Sequence, residues 1–271
     1  MKDITEREFT ELVGFVKQTY GINLLHKKTL VCGRLNNYIV QSGFQSFSEY
    51  FSHVKSDHTG KSGVILVNKL TTNHTYFLRE PQHFEFLERV ILPYYAANEA
   101  RKKDLRVWSA GCSTGEEPYT LAILINSYFG VKKYGWDTKI LATDISTVVL
   151  EQAQKAVYAS TQLEKLPERW REQYFTKIDA ESSIVKDSIR QEVIFRRFNL
   201  MNEMFPFKKK FHLIFCRNVM IYFDAETKIK LINRFYDYME PGGYLFIGHS
   251  ESINRHESNY QFVAPAIYRK V

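Results

Sequence analysis

The sequence predicts an α/β protein in which a helical N-terminal region precedes a doubly wound parallel sheet. Three observations carry this prediction. Apolar residues in the first hundred positions recur with the three-and-four spacing of amphipathic helices. After that, strand-like runs alternate with helical stretches, which is the order typical of a parallel sheet covered by helices. Finally, a loop of small residues follows the first of these strands, at the edge of the sheet where α/β proteins bind ligands.

The N-terminal region is expected to contain four helices. Phe9, Leu12 and Val16 form the apolar side of the first helix, and Gly21 is expected to end it. The other three are expected at about residues 26–41, 47–54 and 64–70. We therefore divide the chain into a helical N-terminal domain (1–86), a linker (87–104) that ends in the charged run 101–104, and an α/β domain (105–271).

Five apolar runs are expected to form the sheet. They cover residues 106–109, 139–143, 193–198, 213–216 and 244–248. Helices are expected to start at Glu116, Thr147 and Ala225, between these strands. Residues 262–271 are strand-like and no helix follows them, which predicts a terminal hairpin with an antiparallel edge strand.

The composition indicates a globular protein of a reducing compartment. Forty-four per cent of the residues are hydrophobic, but no apolar run reaches the roughly 18 residues of a membrane helix. Charges near the N-terminus occupy the place of a signal peptide's apolar region. The three cysteines are far apart, so we expect no disulfide framework, no metal site and a cytoplasmic location. The net charge of +7 weakly favours an acidic partner.

The loop after the first strand indicates the type of ligand. Gly111 and Gly115 allow a tight turn and a close approach of the backbone, because neither has a Cβ atom. A phosphate site would favour a lysine next, whereas Glu116 and Glu117 open the following helix. Carboxylates suit a ligand that carries an ammonium group. This argues against a nucleotide phosphate and for a cofactor such as S-adenosylmethionine.

Asp144 lies at the end of the second strand, 29 residues after Gly115. An acid in this place typically accepts hydrogen bonds from ribose hydroxyls. The alternative is that Asp144 only caps the next helix, as Asp often does before Ile-Ser-Thr. Together with the glycine loop, the acid favours a cofactor that contains adenosine.

Four further segments carry a resemblance to a known family. They read TTNHTYFLRE at 71–80, FNL at 198–200, IFCRNVMIYFD at 214–224 and GGYLFIGHSE at 242–251. With the STGEEPY loop, they resemble the CheR chemotaxis receptor methyltransferases in the same order over nearly the whole chain. The resemblance implies methyl transfer from S-adenosylmethionine to receptor glutamates, with S-adenosylhomocysteine as product. It also implies a Rossmann-like domain, a small helical N-terminal domain and an inserted β-subdomain at about 174–195.

The resemblance also implies site residues. Its cofactor contacts fall on Asn73, Thr75, Arg79, Glu116, Asp144, Asn199, Leu200, Arg217 and Asn218. Glu117 is the alternative to Glu116, which we favour. Two residues are candidates for catalysis. Arg79 would orient a carboxylate; the alternative is a salt bridge to Glu80 or Glu85. Tyr222 would lie near the transferred methyl; the alternative is a place in the core.

The expected partner is the cytoplasmic region of a chemoreceptor. In the resembling family a basic helix of the N-terminal domain faces the receptor, and here Lys27, Lys28 and Arg34 are the candidates; a solvated helix face is the alternative. Family members that tether to a receptor's C-terminal pentapeptide have a Gly-rich loop in the β-subdomain. This chain has no glycine between Gly135 and Gly242, so we expect no dependence on the pentapeptide.

Two other functions compete with receptor methylation. DNA amino-methyltransferases usually have Asn/Asp-Pro-Pro-Tyr/Phe where this chain has Cys-Arg-Asn-Val-Met from Cys216, so we expect no nucleic-acid substrate. A non-enzymatic module that only senses the cofactor is the second alternative. No acid–base dyad is evident, and a glutamate nucleophile needs none, because its reference pKa of about 4.3 leaves it ionised.

Overall fold

Four helices form the N-terminal region, as the sequence predicts. The computed structural model describes residues 4–98, 102–254 and 256–271. The helices are α1 (Glu6–Tyr20), α2 (Lys28–Gln41), α3 (Phe47–Ser56) and α4 (Lys61–Leu70). Helix α1 begins with a capping box, in which the Thr5 hydroxyl accepts from the Glu8 amide and the Glu8 carboxylate accepts from the Thr5 amide. It ends at Gly21, whose φ of 75° is left-handed.

Eight further helices follow in the described part of the chain. They are α5 (Pro81–Phe86), α6 (Leu92–Asn98), α7 (Glu116–Phe129), α8 (Thr147–Lys155), α9 (Ser160–Leu163), α10 (Glu168–Tyr174), α11 (Asp187–Arg190) and α12 (Ala225–Asp237). A π-turn (Leu87–Ile91) joins α5 to α6, and 3₁₀ turns cover Gly130–Lys133 and Met220–Tyr222. None of the described helices is long and apolar enough to cross a bilayer.

The described residues form ten strands in two sheets. They are β1 (Val107–Ala110), β2 (Ile140–Asp144), β3 (Val157–Ala159), β4 (Phe175–Lys177), β5 (Ser182–Val185), β6 (Val193–Arg197), β7 (Phe211–Cys216), β8 (Met239–Ile247), β9 (Tyr260–Ala264) and β10 (Ile267–Lys270). The main sheet has the order β6-β2-β1-β7-β8-β10-β9. Its first five strands are parallel, whereas β10 runs antiparallel to both neighbours. The α/β fold is therefore confirmed, together with its terminal hairpin.

Both faces of the main sheet are covered, which explains why its strands read as continuous apolar runs. Neighbouring residues of β1 point to opposite faces. Trp108 belongs to the same apolar cluster as the N-terminal helices, whereas Val107 belongs to a second cluster with α7. Trp108 is fully buried, and its indole N–H donates to the Thr143 hydroxyl at 2.9 Å. Trp108 packs against Phe235 of α12 on this face, and the helical region is continuous with the same apolar cluster.

Residues 87–98 differ from the expected linker. They are helical, and Leu87, Ile91 and Leu92 are fully buried in the cluster that contains Leu105 and Val107. This segment therefore packs against the sheet as part of the α/β unit. Residues 99–101, which include the start of the expected charged boundary, lie outside the described residues.

The second sheet also differs from the expected limits of 174–195. It has the order β3-β5-β4, and both pairs are antiparallel. Because β3 pairs with β5, the subdomain includes residues 157–159, well before position 174. At the other end, β6 pairs in parallel with β2 and belongs to the main sheet. Both limits of the subdomain differ from the expected ones because β3 and β6 each pair with a strand that is distant in sequence.

Candidate active site

A cleft opens where β1, β2 and β7 end and the helical region meets the sheet. It is lined by nine of the ten cofactor and catalytic candidates: Asn73, Thr75, Arg79, Asp144, Asn199, Leu200, Arg217, Asn218 and Tyr222. The helical region contributes Tyr20, Ile22 and Val67 to the wall. The structure therefore brings together residues that are far apart in sequence. The tenth candidate, Glu116, does not line the cleft, but its neighbour Glu117 does.

The glycine loop after β1 forms part of the cleft floor. Gly111 has a φ of 95°, and a Cβ atom built there would lie 2.4 Å from a methyl of Val219. A side chain at this position would also be strained by the left-handed backbone. The loop thus leaves room for the chain after β7 to approach closely.

Asp144 faces the cleft from the tip of β2. Its carboxylate accepts the backbone N–H groups of Ser113 at 2.9 Å and Ser146 at 3.0 Å. Burial raises the pKa of Asp144, and these N–H groups offset part of the increase. The cap of α8 is a different residue, because the Ser146 hydroxyl accepts from Val149. The structure therefore leaves the Asp144 carboxylate at the cleft, where a ribose could be bound, and does not use it as the helix cap.

The two glutamates that open α7 have different surroundings. Glu117 lines the cleft, accepts the Ser109 hydroxyl at 2.6 Å and forms an ion pair with Arg217 at 2.9 Å. Glu116 is only 1% exposed and accepts the Thr114 hydroxyl at 2.6 Å. Burial raises the pKa of Glu116. The rotation of α7 thus turns the Glu116 side chain into the protein and places Glu117 at the cleft, and the contact of either glutamate with a cofactor stays a prediction.

A buried ion network borders the cleft and is centred on Arg217. The Arg217 side chain is 2% exposed and binds Glu80 at 3.1 Å, Glu117 at 2.9 Å and the Arg79 carbonyl. Burial tends to raise the pKa of Glu80, but the Arg217 guanidinium and the His249 N–H lower it below its usual value. Arg217 therefore holds two carboxylates at the wall of the cleft. Sequence reasoning missed Glu80, although it directly follows Arg79 in the segment 71–80.

Glu251 is a second residue that sequence reasoning missed. It is 8% exposed, and its carboxylate accepts the backbone N–H groups of Gly248, Asn218 (3.0 Å) and Ile221 (3.1 Å). Burial raises its pKa. Asn218 has a left-handed φ of 59°, a conformation that costs energy without such support. Glu251 therefore fixes the loop after β7, and its place at the end of the segment 242–251 was the available signal.

Arg79 and Tyr222 both lie at the cleft. The Arg79 guanidinium donates to the His74 carbonyl at 2.9 Å, and the described ion pairs join it to neither Glu80 nor Glu85. The Tyr222 hydroxyl donates to the Thr72 carbonyl at 3.1 Å and accepts the Thr72 N–H at 3.2 Å. Tyr222 is half-buried at the wall of the cleft, which differs from a place in the closed core.

The three receptor-contact candidates at the start of α2 and along it do not form one basic surface. Lys27 is exposed, whereas Lys28 forms an ion pair with Glu6. The Arg34 guanidinium turns towards the end of α4, where it donates to the Leu70 carbonyl at 2.8 Å and to the Thr72 hydroxyl at 2.9 Å. Asn199 also joins the two regions, since its side-chain amide donates to the Thr19 carbonyl at 2.8 Å.

One group of side chains near the cleft has ligand types found in metal sites. Ligand atoms of Glu80, His83 and His249 lie within 4.8 Å of one another. However, the Arg217 guanidinium already contacts the Glu80 carboxylate and would repel a cation. Burial, with a smaller contribution from Arg217, lowers the pKa of His83 to about 3. The group is therefore a neutral histidine beside a closed ion pair.

Comparison with known proteins gives consistent matches along the chain. Residues 73–268 match the family profile described as CheR methyltransferase, SAM binding domain, and residues 7–71 match CheR methyltransferase, all-alpha domain. A chemotaxis protein methyltransferase of Borreliella burgdorferi is 41% identical, over 99% of this chain and 95% of that protein. The Escherichia coli K12 protein of the same name is 33% identical, over 98% of this chain and 91% of its own length.

Proposed function

Because this chain belongs to the CheR methyltransferase family, we propose that it transfers a methyl group from S-adenosylmethionine to glutamate side chains of chemoreceptors, forming glutamyl methyl esters. Its membership of the family makes the chain an S-adenosylmethionine-dependent methyltransferase of chemotaxis. The proposal that it acts on glutamate is carried by the cleft, which joins the Asp144 and Glu117 carboxylates to Arg79 and Tyr222.

The chemistry of the cleft fits this cofactor. Asp144 would accept hydrogen bonds from the ribose hydroxyls, and Glu117 would bind the ammonium group of the methionyl part. Asn73, Thr75 and Asn199 add side-chain hydrogen-bonding groups, and Leu200 adds apolar surface. The bound cofactor supplies a methyl group that the positive sulfonium makes electrophilic. We assign the ammonium contact to Glu117 because Glu116 is turned away from the cleft.

The residues at the cleft would mainly align the nucleophile. A glutamate carboxylate is ionised at neutral pH, so no residue has to remove a proton from it. Arg79 would pair with a carboxylate, either that of the substrate or that of the cofactor, and Tyr222 would limit its approach. Orientation of this kind is worth several kcal/mol, on the order of 7–11 in the best cases. This division of roles requires binding and alignment and no acid–base dyad.

The helical and catalytic regions would act as two parts of one site. We propose that the helical region, residues 1–70, presents the receptor, with Lys27 and Lys28 as candidate contacts beside an acidic receptor segment. The catalytic region would begin with the segment 71–80. The three free cysteines favour a reducing compartment, which supports a cytoplasmic location together with a receptor's cytoplasmic region as partner.

The turn between β4 and β5 supports an enzyme that does not need a pentapeptide tether. The Asp179 carboxylate accepts the N–H groups of Glu181 (2.8 Å) and Ser182 (2.7 Å), as well as the Ser182 hydroxyl. These bonds close a short turn without glycine. We expect equal methylation of a receptor with and without its last five residues. A rate that falls at least tenfold when they are removed would contradict this expectation.

The first experiment separates binding from turnover. S-adenosylhomocysteine is titrated by calorimetry into the wild-type chain, Asp144→Ala and the matched control Asp187→Ala, whose carboxylate is 78% exposed on α11. We expect saturable binding that Asp144→Ala weakens by about tenfold or more, since hydrogen bonds to a charged group are worth about 1.5–3 kcal/mol. The control should bind like wild type. A wild-type chain that does not bind would refute the proposed site.

Receptor methylation with a labelled methyl donor then tests the substrate. A glutamyl methyl ester releases its label as methanol in mild alkali, whereas a methylated amine or amide keeps it. We expect receptor-dependent, alkali-labile label. Binding without label transfer would leave a cofactor sensor, and label that resists alkali would refute the carboxylate as acceptor.

A further inference from the structure

A short connecting segment carries cofactor candidates across the boundary between the two regions. Residues 71–75, here called the strap, follow α4 and contain Asn73 and Thr75. The catalytic region holds the strap from one side. The Ser113 hydroxyl donates to the Asn73 carbonyl at 2.8 Å, and the Tyr222 hydroxyl forms two hydrogen bonds with the Thr72 backbone. The position of the strap therefore sets the position of two cleft residues, Asn73 and Tyr222.

Arg34 holds the strap from the other side. From α2, one guanidinium nitrogen donates to the Leu70 carbonyl at 2.8 Å and another donates to the Thr72 hydroxyl at 2.9 Å. Leu70 is the last residue of α4, where carbonyls lack partners within the helix and a positive charge is favourable. Arg34 thus fixes both the end of α4 and the first turn of the strap.

We propose that Arg34 is a positioning residue for the cofactor site, which acts through Thr72 on Asn73 and Tyr222. This inference rests on the proposed function, because it assumes that the cleft binds S-adenosylmethionine. It assigns Arg34 a different role from that of Lys27, which is exposed just before the same helix. Arg34 does not line the cleft, so its effect on the cofactor is indirect.

The geometry of the two Arg34 hydrogen bonds distinguishes a positioning role from a receptor contact that depends only on positive charge. Two nitrogens of one planar guanidinium reach two acceptors on different residues, which a single ammonium group cannot reproduce. Arg34→Lys keeps the positive charge and loses this fork. A receptor contact through charge would survive the substitution, whereas a fork that holds the strap would not.

The test measures the affinity of the full chain for S-adenosylhomocysteine without any receptor. The variants are Arg34→Lys, Thr72→Val and the double variant, with Arg7→Lys as control, since Arg7 is 89% exposed on α1. We expect Arg34→Lys to weaken binding by about tenfold and Thr72→Val by a few-fold, from the loss of charge-assisted hydrogen bonds. The double variant should bind no more weakly than Arg34→Lys, because both changes break the same link. Arg7→Lys should bind like wild type.

Thermal unfolding of each variant accompanies the titrations, which are made well below every melting temperature. If the two substitutions acted only by lowering stability, their effects on the binding free energy would not be coupled. Wild-type affinity in Arg34→Lys, or additive effects in the double variant, would overturn the positioning role. A wild-type chain without affinity for the product would instead refute the proposed function, so the two failures are distinct.

Discussion

The pair of glutamates at the start of α7 offers the sharpest test of the site. Glu116→Gln and Glu117→Gln are the same chemical change at adjacent positions, and each removes one negative charge. Only Glu117 lines the cleft, where it accepts from Ser109 and Arg217. We therefore expect Glu117→Gln to weaken binding of S-adenosylhomocysteine strongly and Glu116→Gln to weaken it little.

The structure sets the size of the difference. If Glu117 accepts a hydrogen bond from the ligand's ammonium group, the loss of its charge costs about 1.5–3 kcal/mol, or about tenfold to hundredfold in Kd. Arg217 keeps Glu80 as a partner in this variant, so the buried cation is not left alone. Glutamine at position 116 can still accept from Thr114, so we expect less than about threefold weaker binding there.

Calorimetric titration with two ligands makes the test specific. 5′-Methylthioadenosine has the adenosine part of the product and no ammonium group, so Glu117→Gln should leave its affinity nearly unchanged. A Glu117→Gln variant that loses equal affinity for both ligands would refute the ammonium contact. A Glu116→Gln variant that loses more affinity than Glu117→Gln would refute the assignment of the two carboxylates.

Two further predictions concern stability. The buried His83 has a pKa of about 3, below the value near 6.5 of the unfolded chain, so only the unfolded state binds a proton as the pH falls below 6.5. When the pH is lowered from 7.5 to 5.0, the free energy of unfolding measured with urea should fall by about 2 kcal/mol more for the wild type than for His83→Phe. An equal decrease in the two proteins would contradict this prediction. The Lys17 ammonium and Thr227 lower the pKa of Asp224 to about 2, so its contribution is present above about pH 4 and is lost as the pH falls towards 2. Asp224→Asn keeps a capping side chain on α12. At pH 7 its free energy of unfolding should be about 0.5–1 kcal/mol below that of the wild type, after allowance for the exposure of the pair. A difference of the same size at pH 2.5 would refute the charge pair.

Local patterns predicted most of the fold. The parallel strands are buried on both faces, so each reads as a short apolar run that periodicity detects. The cleft was located for a related reason. Gly111 directly follows β1 and Asp144 is the last residue of β2, and the carboxyl ends of neighbouring parallel strands meet at one edge of the sheet. The positions of these two residues in the sequence were therefore enough to predict that they share one site.

The details that sequence reasoning missed depend on orientation. Adjacent residues of a helix point about 100° apart, so only the packing of α7 decides which of Glu116 and Glu117 faces the cleft. The contact of Arg34 with Thr72 spans 38 positions and joins α2 to the strap, and no local pattern encodes how these two segments meet. Residues 87–98 resembled a linker for the same reason, because their apolar side packs against a sheet that comes later in the chain.

The buried ions explain why this site depends on the whole fold. Arg217 comes from the loop after β7, Glu117 from α7 and Glu80 from the segment before α5, and each is nearly removed from water. A guanidinium in such a place is costly without a carboxylate partner, and Arg217 gains its two partners only when these three segments have packed together. The segment that carries Glu80 also carries Arg79 and the strap, which Arg34 holds from the helical region. The geometry of the cleft is thus fixed from both regions, and we expect that loosening either region would lower the affinity for the cofactor.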